Sequence, residues 1–396
     1  MSARFYMKSF PCPIAYISNA SWHYGLPTNR QQLPQRLANH APVLYSSPFS
    51  LSQALMGQVP FRQVRPGLEQ VSPNLYLFHN LQILPMVRGQ LWPLKQFDQH
   101  LRVRSLRRYI GALGLRNPVL WLYFPPSFQH LLGQLGESLT CYHCTDDHAG
   151  RAEVLGFDRQ KVEEDEIRLV QAVDVVFVTS RPLYLQKVQY NPNTYLMPNV
   201  ANIERFTPVA HDQVPVALEL RDLPGPVAGF VGAVDGYKVD FALIEQVAQM
   251  LSDWTFVFVG PVGSGDGTSR ADLPALPNVR YLGYRDYSLL PGYVAGFDVC
   301  MIPYHLNPYT AGVFPLKFWE YLASGKPVVT TPLPALSEYY PHVGVGNSPS
   351  AFAEALQRAF TRRADMAARQ QRLDLAAGQS WEKRAAEMLE VLRRHL

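Results

Sequence analysis

Acidic residues are scarce at the start of this chain. The first 120 residues carry only Glu69 and Asp98 against thirteen Lys/Arg, a balance of +11 within a 396-residue chain whose overall net charge is +4. The remainder therefore carries −7. That asymmetry calls for an anionic partner at the N-terminal half, whether a phosphorylated substrate, an acidic membrane surface or nucleic acid, or else reflects a solvated basic face. Cysteine is also sparse: Cys12, Cys141, Cys144 and Cys300 cannot make a disulfide framework, so a reducing, cytoplasmic setting is the expectation. Long apolar runs are missing, the longest being 119–124 and 173–178, far short of the roughly 20 residues that cross a bilayer. The apolar residues 14–17 behind Arg4 and Lys8 are too few for a secretory signal and lack a small-residue cleavage site. No repeat of solenoid period and no low-complexity tract is visible.

What is present is a chain rich in core-forming residues, 47% hydrophobic and 17% charged. It is long enough for two domains. Short β-branched or aromatic runs alternate with helical patterns, the signature of parallel sheets covered by helices. Strands are predicted at 14–18, 43–46, 119–124, 139–143 and 175–179, with irregular Pro-rich sequence from 47 to 92. Prolines and polar residues at 208–226 read as a linker. The alternation then restarts at 227–231, followed by a helix whose Ile244, Val247, Ala248 and Leu251 share one face. Strands at 254–259, 279–282, 299–303 and 328–331 and helices at 289–296 and 316–323 follow. The domains are thus expected at 1–207 and 208–377. A last helix from Trp381 has no strand after it and must pack elsewhere.

The densest motif is Tyr304-His-Leu-Asn-Pro-Tyr-Thr-Ala-Gly-Val-Phe-Pro-Leu-Lys-Phe-Trp-Glu-Tyr-Leu-Ala-Ser-Gly-Lys-Pro-Val-Val. Pro315 suits a first helical turn, and Gly325 with Pro327 ends the helix. Free N–H groups at the start of that helix, with the dipole behind them, make a site for a diphosphate, and Lys317 adds a point charge. Glu320, three residues on, is a natural acceptor for two ribose hydroxyls. The alternative is an ordinary i, i+3 surface ion pair.

A second motif, Cys141-Tyr-His-Cys-Thr-Asp-Asp-His-Ala-Gly, closes a predicted strand, and ligands of α/β proteins bind at such carboxyl ends. Asp146, Asp147 and His148 are therefore candidate catalytic residues, an Asp serving as base toward an acceptor hydroxyl. Helix capping is the alternative. A zinc site from Cys141, His143, Cys144 and His148 lacks a second ligand pair at suitable spacing. The stretch 260–267 reads as a glycine-rich surface loop. Between Lys95 and Arg116, basic residues (Arg102, Arg104, Arg107, Arg108) interleave with Phe97, Leu101, Leu106 and Ile110, an amphipathic pattern suited to anionic lipid.

The segment from Pro315 to Val329 resembles the donor-binding motif of nucleotide-sugar glycosyltransferases of the GT-B fold, especially family 4 and its bacterial exopolysaccharide relatives. Supporting matches lie at Val231-Gly232, 256–261, 278–283, 297–304, Met197-Pro198-Asn199-Val200 and Ser380-Trp381-Glu382. The resemblance implies two Rossmann-like domains facing a cleft, with residues 378–396 crossing back onto the first. It implies a donor, most commonly a UDP-sugar, on the second domain and a saccharide or lipid-linked acceptor on the first, in cell-surface polysaccharide synthesis.

No metal is implied, because the helix terminus and Lys317 neutralise the leaving diphosphate. By position, Gly232 and Lys238 fall on the phosphate loop, although a solvated Lys238 is the simpler expectation. Tyr284 and Arg285 fall where the nucleobase is read, and Trp22, His23 and Arg30 on the acceptor side. The motif departs from the family at one point: of its two glutamates eight residues apart, Glu320 matches the second and Gly312 replaces the first. The sugar-facing role then passes to Tyr309, Thr310, Ala311, Gly312, Val313 and Phe314 or their backbone. Asp146 matches the catalytic aspartate of xanthan-type glucuronosyltransferases. Rival readings are an epimerase or hydrolase of the same fold, an inactive sugar-binding scaffold, and a nucleic-acid-binding protein. The arginines match no nucleic-acid motif.

Overall fold

The computed structural model describes residues 9–18, 22, 28–50, 67–82, 92–123, 126–154, 156–263 and 268–396. The first unit runs β1 (Ile14–Ser18), α1 (Asn29–Leu37), β2 (Val43–Ser50), β3 (Gly67–Ser72), β4 (Leu75–Gln82), α2 (Trp92–Ala112), β5 (Val119–Tyr123), β6 (Leu139–Cys144), α3 (His148–Val154), α4 (Arg159–Ala172), β7 (Val175–Val178), α5 (Arg181–Lys187) and β8 (Thr194–Leu196). Its eight-stranded sheet has the order β3-β4-β2-β1-β5-β6-β7-β8. Only β3 is antiparallel to its neighbour. The irregular segment expected at 47–92 thus contributes the rest of β2 and a hairpin, whose outer strand is largely exposed on its edge.

The second unit runs α6 (Ile203–Ala210), β9 (Val227–Val231), α7 (Phe241–Met250), β10 (Thr255–Val259), β11 (Val279–Gly283), α8 (Leu290–Ala295), β12 (Val299–Ile302), α9 (Pro308–Ala311), α10 (Leu316–Ala323), β13 (Val328–Thr330), β14 (Gly344–Val345), α11 (Pro349–Thr361), α12 (Met366–Ala377) and α13 (Trp381–His395). Its sheet is parallel throughout, in the order β11-β10-β9-β12-β13-β14. The predicted linker is not free chain. Pro208 lies inside α6, and Leu220 is buried in the second unit's core.

The strand order of both sheets reverses beside their first strand, between β1 and β5 and between β9 and β12, and α/β folds bind ligands outside the carboxyl ends at such switch points. The central strands are fully buried on both faces, which is why they read as continuous apolar runs rather than alternating ones. One face of the first sheet is an aromatic row: Tyr16 stacks on Tyr45 at 5.4 Å and on Trp121 at 5.7 Å, and Trp121 on Phe177 at 5.4 Å. Helix α13 covers this face, contributing Trp381, Ala385, Met388, Leu389 and Leu392 to the same cluster.

Asn199 stitches the units together. Its Nδ2 donates to the Phe314 carbonyl at 2.8 Å, its side-chain oxygen accepts from Asn29 Nδ2, and its carbonyl accepts from the Trp319 indole at 2.7 Å.

Candidate active site

The helix α10 is built where the sequence places it. Gly325 takes a φ of 72°, the left-handed conformation that closes a helix C-terminus, and Tyr321 pins the helix to the sheet by accepting from the Val231 amide at 2.7 Å. Lys317 sits in its first turn. The residue is nine-tenths buried, its Nζ stands 3.5 Å from the Phe230 ring centroid and 5.2 Å from that of Tyr304, and it makes no hydrogen bond or ion pair with any described residue. Burial, reinforced by the nearby Lys238 charge, pushes its pKa well below the ordinary lysine value. Gly232, at the end of β9 with φ 136°, makes room for it: a Cβ there would lie 2.5 Å from Nζ.

Lys317 and Glu320 do not pair. The Glu320 carboxylate instead accepts from the Tyr287 hydroxyl at 2.8 Å. Burial raises its pKa, while that hydrogen bond and Lys317 act against the rise. Lys238 departs from the sequence expectation of a solvated side chain: it is mostly buried and pairs with Asp235 at 3.2 Å. Its loop is held against the β12 exit, since Asn307 Nδ2 donates to the Tyr237 carbonyl at 2.9 Å and the His305 amide to the Lys238 carbonyl at 2.8 Å. Two cations thus converge on the start of α10, one paired and one not.

The residues before α10 form a short helix capped by Asn307, whose side chain accepts from the Thr310 amide at 2.9 Å. Thr310, Val313 and Phe314 are buried in packing, Thr310 donating its hydroxyl to the His305 carbonyl, whereas Ala311 is partly open. Tyr309 reaches the other unit and donates to Asp146 Oδ1 at 3.3 Å. Tyr284 stands 54% exposed beside Gly283. The Arg285 guanidinium is taken by Glu219 and by the Tyr293 hydroxyl, so it is already satisfied on the outer side.

Facing this segment, the loop after β6 brings Asp146 and Asp147 against the second unit, whereas His148, expected beside them, turns back to Cys144 and Glu166. Asp147 does cap α3, accepting from the Gly150 amide at 2.7 Å, and burial raises its pKa. It also meets Gly312, where an added Cβ would lie 3.0 Å from the Asp147 Cβ, 3.4 Å from its amide and 3.4 Å from Leu183. The Gly312 carbonyl accepts from Ser180 Oγ at 2.8 Å. Thus at the position expected to carry a glutamate, Asp147 of the opposite unit packs too closely to leave room for a side chain without movement. His148 is buried, and that burial lowers its pKa.

Cys144, His148 and Glu166 bring candidate ligand atoms within 4.8 Å of one another. However, Lys187 Nζ lies 2.7 Å from the Glu166 carboxylate and the Tyr142 hydroxyl 2.8 Å from it, so an ammonium already supplies the positive charge. Cys141 and His143 lie on the opposite strand face, which splits the four-residue zinc set. His143, among Trp121, Tyr123 and Phe177, is driven by burial, then by Arg384, to a pKa of about 3.

On the acceptor side, Trp22 is 9% exposed and packs edge-on against Tyr45 at 4.9 Å, a core placement rather than an open platform. Arg30 is partly buried at the start of α1, its Nε donating to Gln31 at 3.2 Å. His23 lies outside the described residues. Sequence reading missed Tyr287 and the Glu166–Lys187 pair, and marked Asn199 only as part of a family match, without its contacts to Asn29, Phe314 and Trp319. Glu166 hides in a run of charges that looks like a solvated helix face, and Tyr287 is 33 residues from the carboxylate it binds, with no local pattern to join them.

The family model described as "Glycosyl transferases group 1" matches residues 225–362, most of the second unit. TuaH of Bacillus subtilis (strain 168), assigned to teichuronic acid biosynthesis as a glycosyltransferase, is 32% identical over 275 residues, 66% of this chain and 68% of that one. The fold is also that of a sucrose-phosphate synthase from Thermosynechococcus elongatus (TM-score 0.73, 18% identity, 97% of this chain and 98% of that one). Anabaena HepE in complex with UDP and glucose is similar as well (TM-score 0.66, 15% identity, 97% and 100%). At these identities the solved structures speak for the fold alone. Taken with the likeness to TuaH, they place the chain plainly: it belongs to the group 1 glycosyl transferases and is a glycosyltransferase of the GT-B fold.

Proposed function

We propose that this glycosyltransferase moves a sugar from a UDP-sugar to a saccharide acceptor, free or lipid-linked, in the synthesis of a cell-surface polysaccharide. One observation carries the donor site: Lys317, a buried ammonium with no anionic partner among the described residues, stands at the N-terminus of α10 where Gly232 leaves it space. An uncompensated buried cation at a helix N-terminus is a site waiting for an anion. The diphosphate takes Lys317, Lys238 and the first-turn amides, and the ribose takes Glu320. The charge of the leaving diphosphate is met without a divalent metal. Tyr284 lies toward the base.

The uridine nucleotide is supported by HepE, solved with UDP and glucose, and by an Escherichia coli structure bound with UDP-2-fluoro glucose. The polysaccharide setting is supported by the biosynthetic assignment of TuaH. Asp146 and Asp147, on the loop that packs against the Gly312 segment, take the role of base or sugar contact. His148, whose ring is buried beside Glu166, holds that loop from behind.

Among the described residues no helix is long and apolar enough to cross a membrane, but α2 carries a surface stripe of Phe97, Leu101, Arg104 and Arg108 at helical spacing, all exposed. Arg102 is not part of it, lying over the Phe128 ring at 4.5 Å. The stripe suits an anionic membrane on the inner face of the cell, and flotation with anionic vesicles at low salt tests it. No binding there removes the membrane role.

The donor site is tested by a thermal-shift panel of nucleotides and nucleotide-sugars. UDP and UDP-sugars raise the melting temperature, and Lys317→Ala and Glu320→Ala each diminish that rise. Unchanged shifts in both variants refute the assignment. Product analysis with a UDP-sugar alone and with saccharide acceptors separates transfer from hydrolysis or epimerisation.

A further inference from the structure

The phosphate loop of the second unit, Gly232 to Lys238, contains no arginine. The first unit brings one to it. Arg151 lies on α3, and its guanidinium carbon stands 5.8 Å from the Tyr237 ring centroid. Its Nε is shielded from solvent and has no hydrogen-bond partner. The guanidinium as a whole makes no hydrogen bond or ion pair with any described residue. Guanidinium groups carry five donors, and buried ones are almost always satisfied.

The neighbouring carboxylates do not satisfy it. Asp235 is committed to Lys238 at 3.2 Å, and Asp146 accepts from Tyr309 at 3.3 Å. Neither forms an ion pair with Arg151. The surroundings nevertheless favour its charge: burial works against the cation, and Tyr237, Tyr309, Asp146 and Asp235 more than offset that. The same Tyr237 ring lies 5.2 Å from Lys238 Nζ and 5.2 Å from the Tyr309 ring. Arg151 thus shares the Tyr237 ring with Lys238, which in turn lies near Lys317, and is held chiefly by that aromatic face at the outer limit of cation–π range.

We propose that Arg151 is an anion clamp delivered by the first unit, whose guanidinium grips an oxyanion of the bound donor. This rests on the donor site proposed above. A nucleotide-sugar offers two such groups, its diphosphate and, in a uronic acid, the carboxylate of the sugar. Both suit a planar fork of donors better than a point charge. Because Arg151 and Tyr237 belong to different units, donor held this way also ties the two units together.

Isothermal titration of UDP, UDP-glucose and UDP-glucuronate with wild type, Arg151→Gln and Arg151→Lys tests this. Loss of a charge-assisted hydrogen bond predicts that Arg151→Gln weakens binding by about ten-fold or more, with Arg151→Lys intermediate. An equal loss for all three ligands assigns the clamp to the diphosphate. A loss confined to UDP-glucuronate assigns it to the sugar carboxylate. Arg151→Lys preserves charge and stem, and supplies the comparison if the Gln variant does not fold. Wild-type binding that both variants leave unchanged overturns the clamp alone. Wild-type protein that binds none of the three overturns the donor site, and the clamp with it.

Discussion

Two buried lysines, one in each unit, have opposite surroundings. Lys187, under the first sheet, lies 2.7 Å from a fully buried Glu166 that also accepts from Tyr142 and Cys144. Lys317, at the start of α10, lies against aromatic faces and has no hydrogen-bonded or ion-paired partner among the described residues. Burial opposes both charges, yet Glu166 more than offsets it for Lys187, whose pKa is raised, while nothing does so for Lys317, whose pKa is lowered. A paired buried lysine is a structural strut beneath the loop that carries Asp146 and Asp147. On the donor site proposed above, the unpaired one is a place kept for an anion, at a cost in protein stability.

The largest expected effect comes from breaking the pair. Lys187→Met leaves Glu166 as a lone buried carboxylate, which costs about 3–5 kcal/mol; chemical denaturation measures it. The pH dependence has two limits. Burial pushes Glu166 up, but Lys187, His148 and the hydrogen bonds bring its folded pKa below the ordinary value, so its contribution is complete above about pH 4.5 and lost as pH falls through the folded value. Lys187, raised above its ordinary value, contributes fully below about pH 10.5 and loses that contribution as pH rises through its folded value. A variant as stable as wild type at neutral pH would show the pair to be dispensable.

The two regions touch at Gly312, where the donor segment meets Asp147. Gly312→Glu restores the carboxylate that the family pattern carries, but its side chain enters the space of Asp147 and Leu183. A displacement of about 1 Å at a reacting centre costs on the order of a hundred-fold in rate. We therefore expect kcat for sugar transfer to fall about that far, with UDP binding at Lys317 kept. Activity equal to or above wild type would mean that the glutamate, not the opposing aspartate, suits this site.

The fold and helix α10 were legible in the sequence because each rests on local rules. Continuous apolar runs mark strands buried on both faces, and Pro315 and Gly325 bracket α10 within a few residues. The irregular stretch before α2 was not, since prolines there masked the edge hairpin at 67–82. Lys238 and Glu320 were ambiguous for another reason. Charged residues at such spacing are usually solvated, and only the packing of β9, β12 and Tyr287 around them shows that these are not. Arg151, Asn199 and Gly312 act on partners between 86 and 170 residues away, and single-sequence periodicity carries no trace of such pairings.

The smallest effect separates the lysines by sign. Lys317→Met removes an uncompensated buried charge, so the ligand-free variant gains about 1 kcal/mol over wild type while its response to UDP disappears. In wild type the folded pKa of Lys317 lies below the unfolded one. Between these values the unfolded chain binds more protons, and stability from this group rises with pH. The advantage of Lys317→Met is therefore greatest near neutrality and shrinks as pH climbs toward about 10, which paired melts across that range would record. Lys187→Met behaves in the opposite sense, losing stability at neutral pH. If both variants lose stability alike, Lys317 has a partner that holds it as Glu166 holds Lys187, and its place at the helix start is structural.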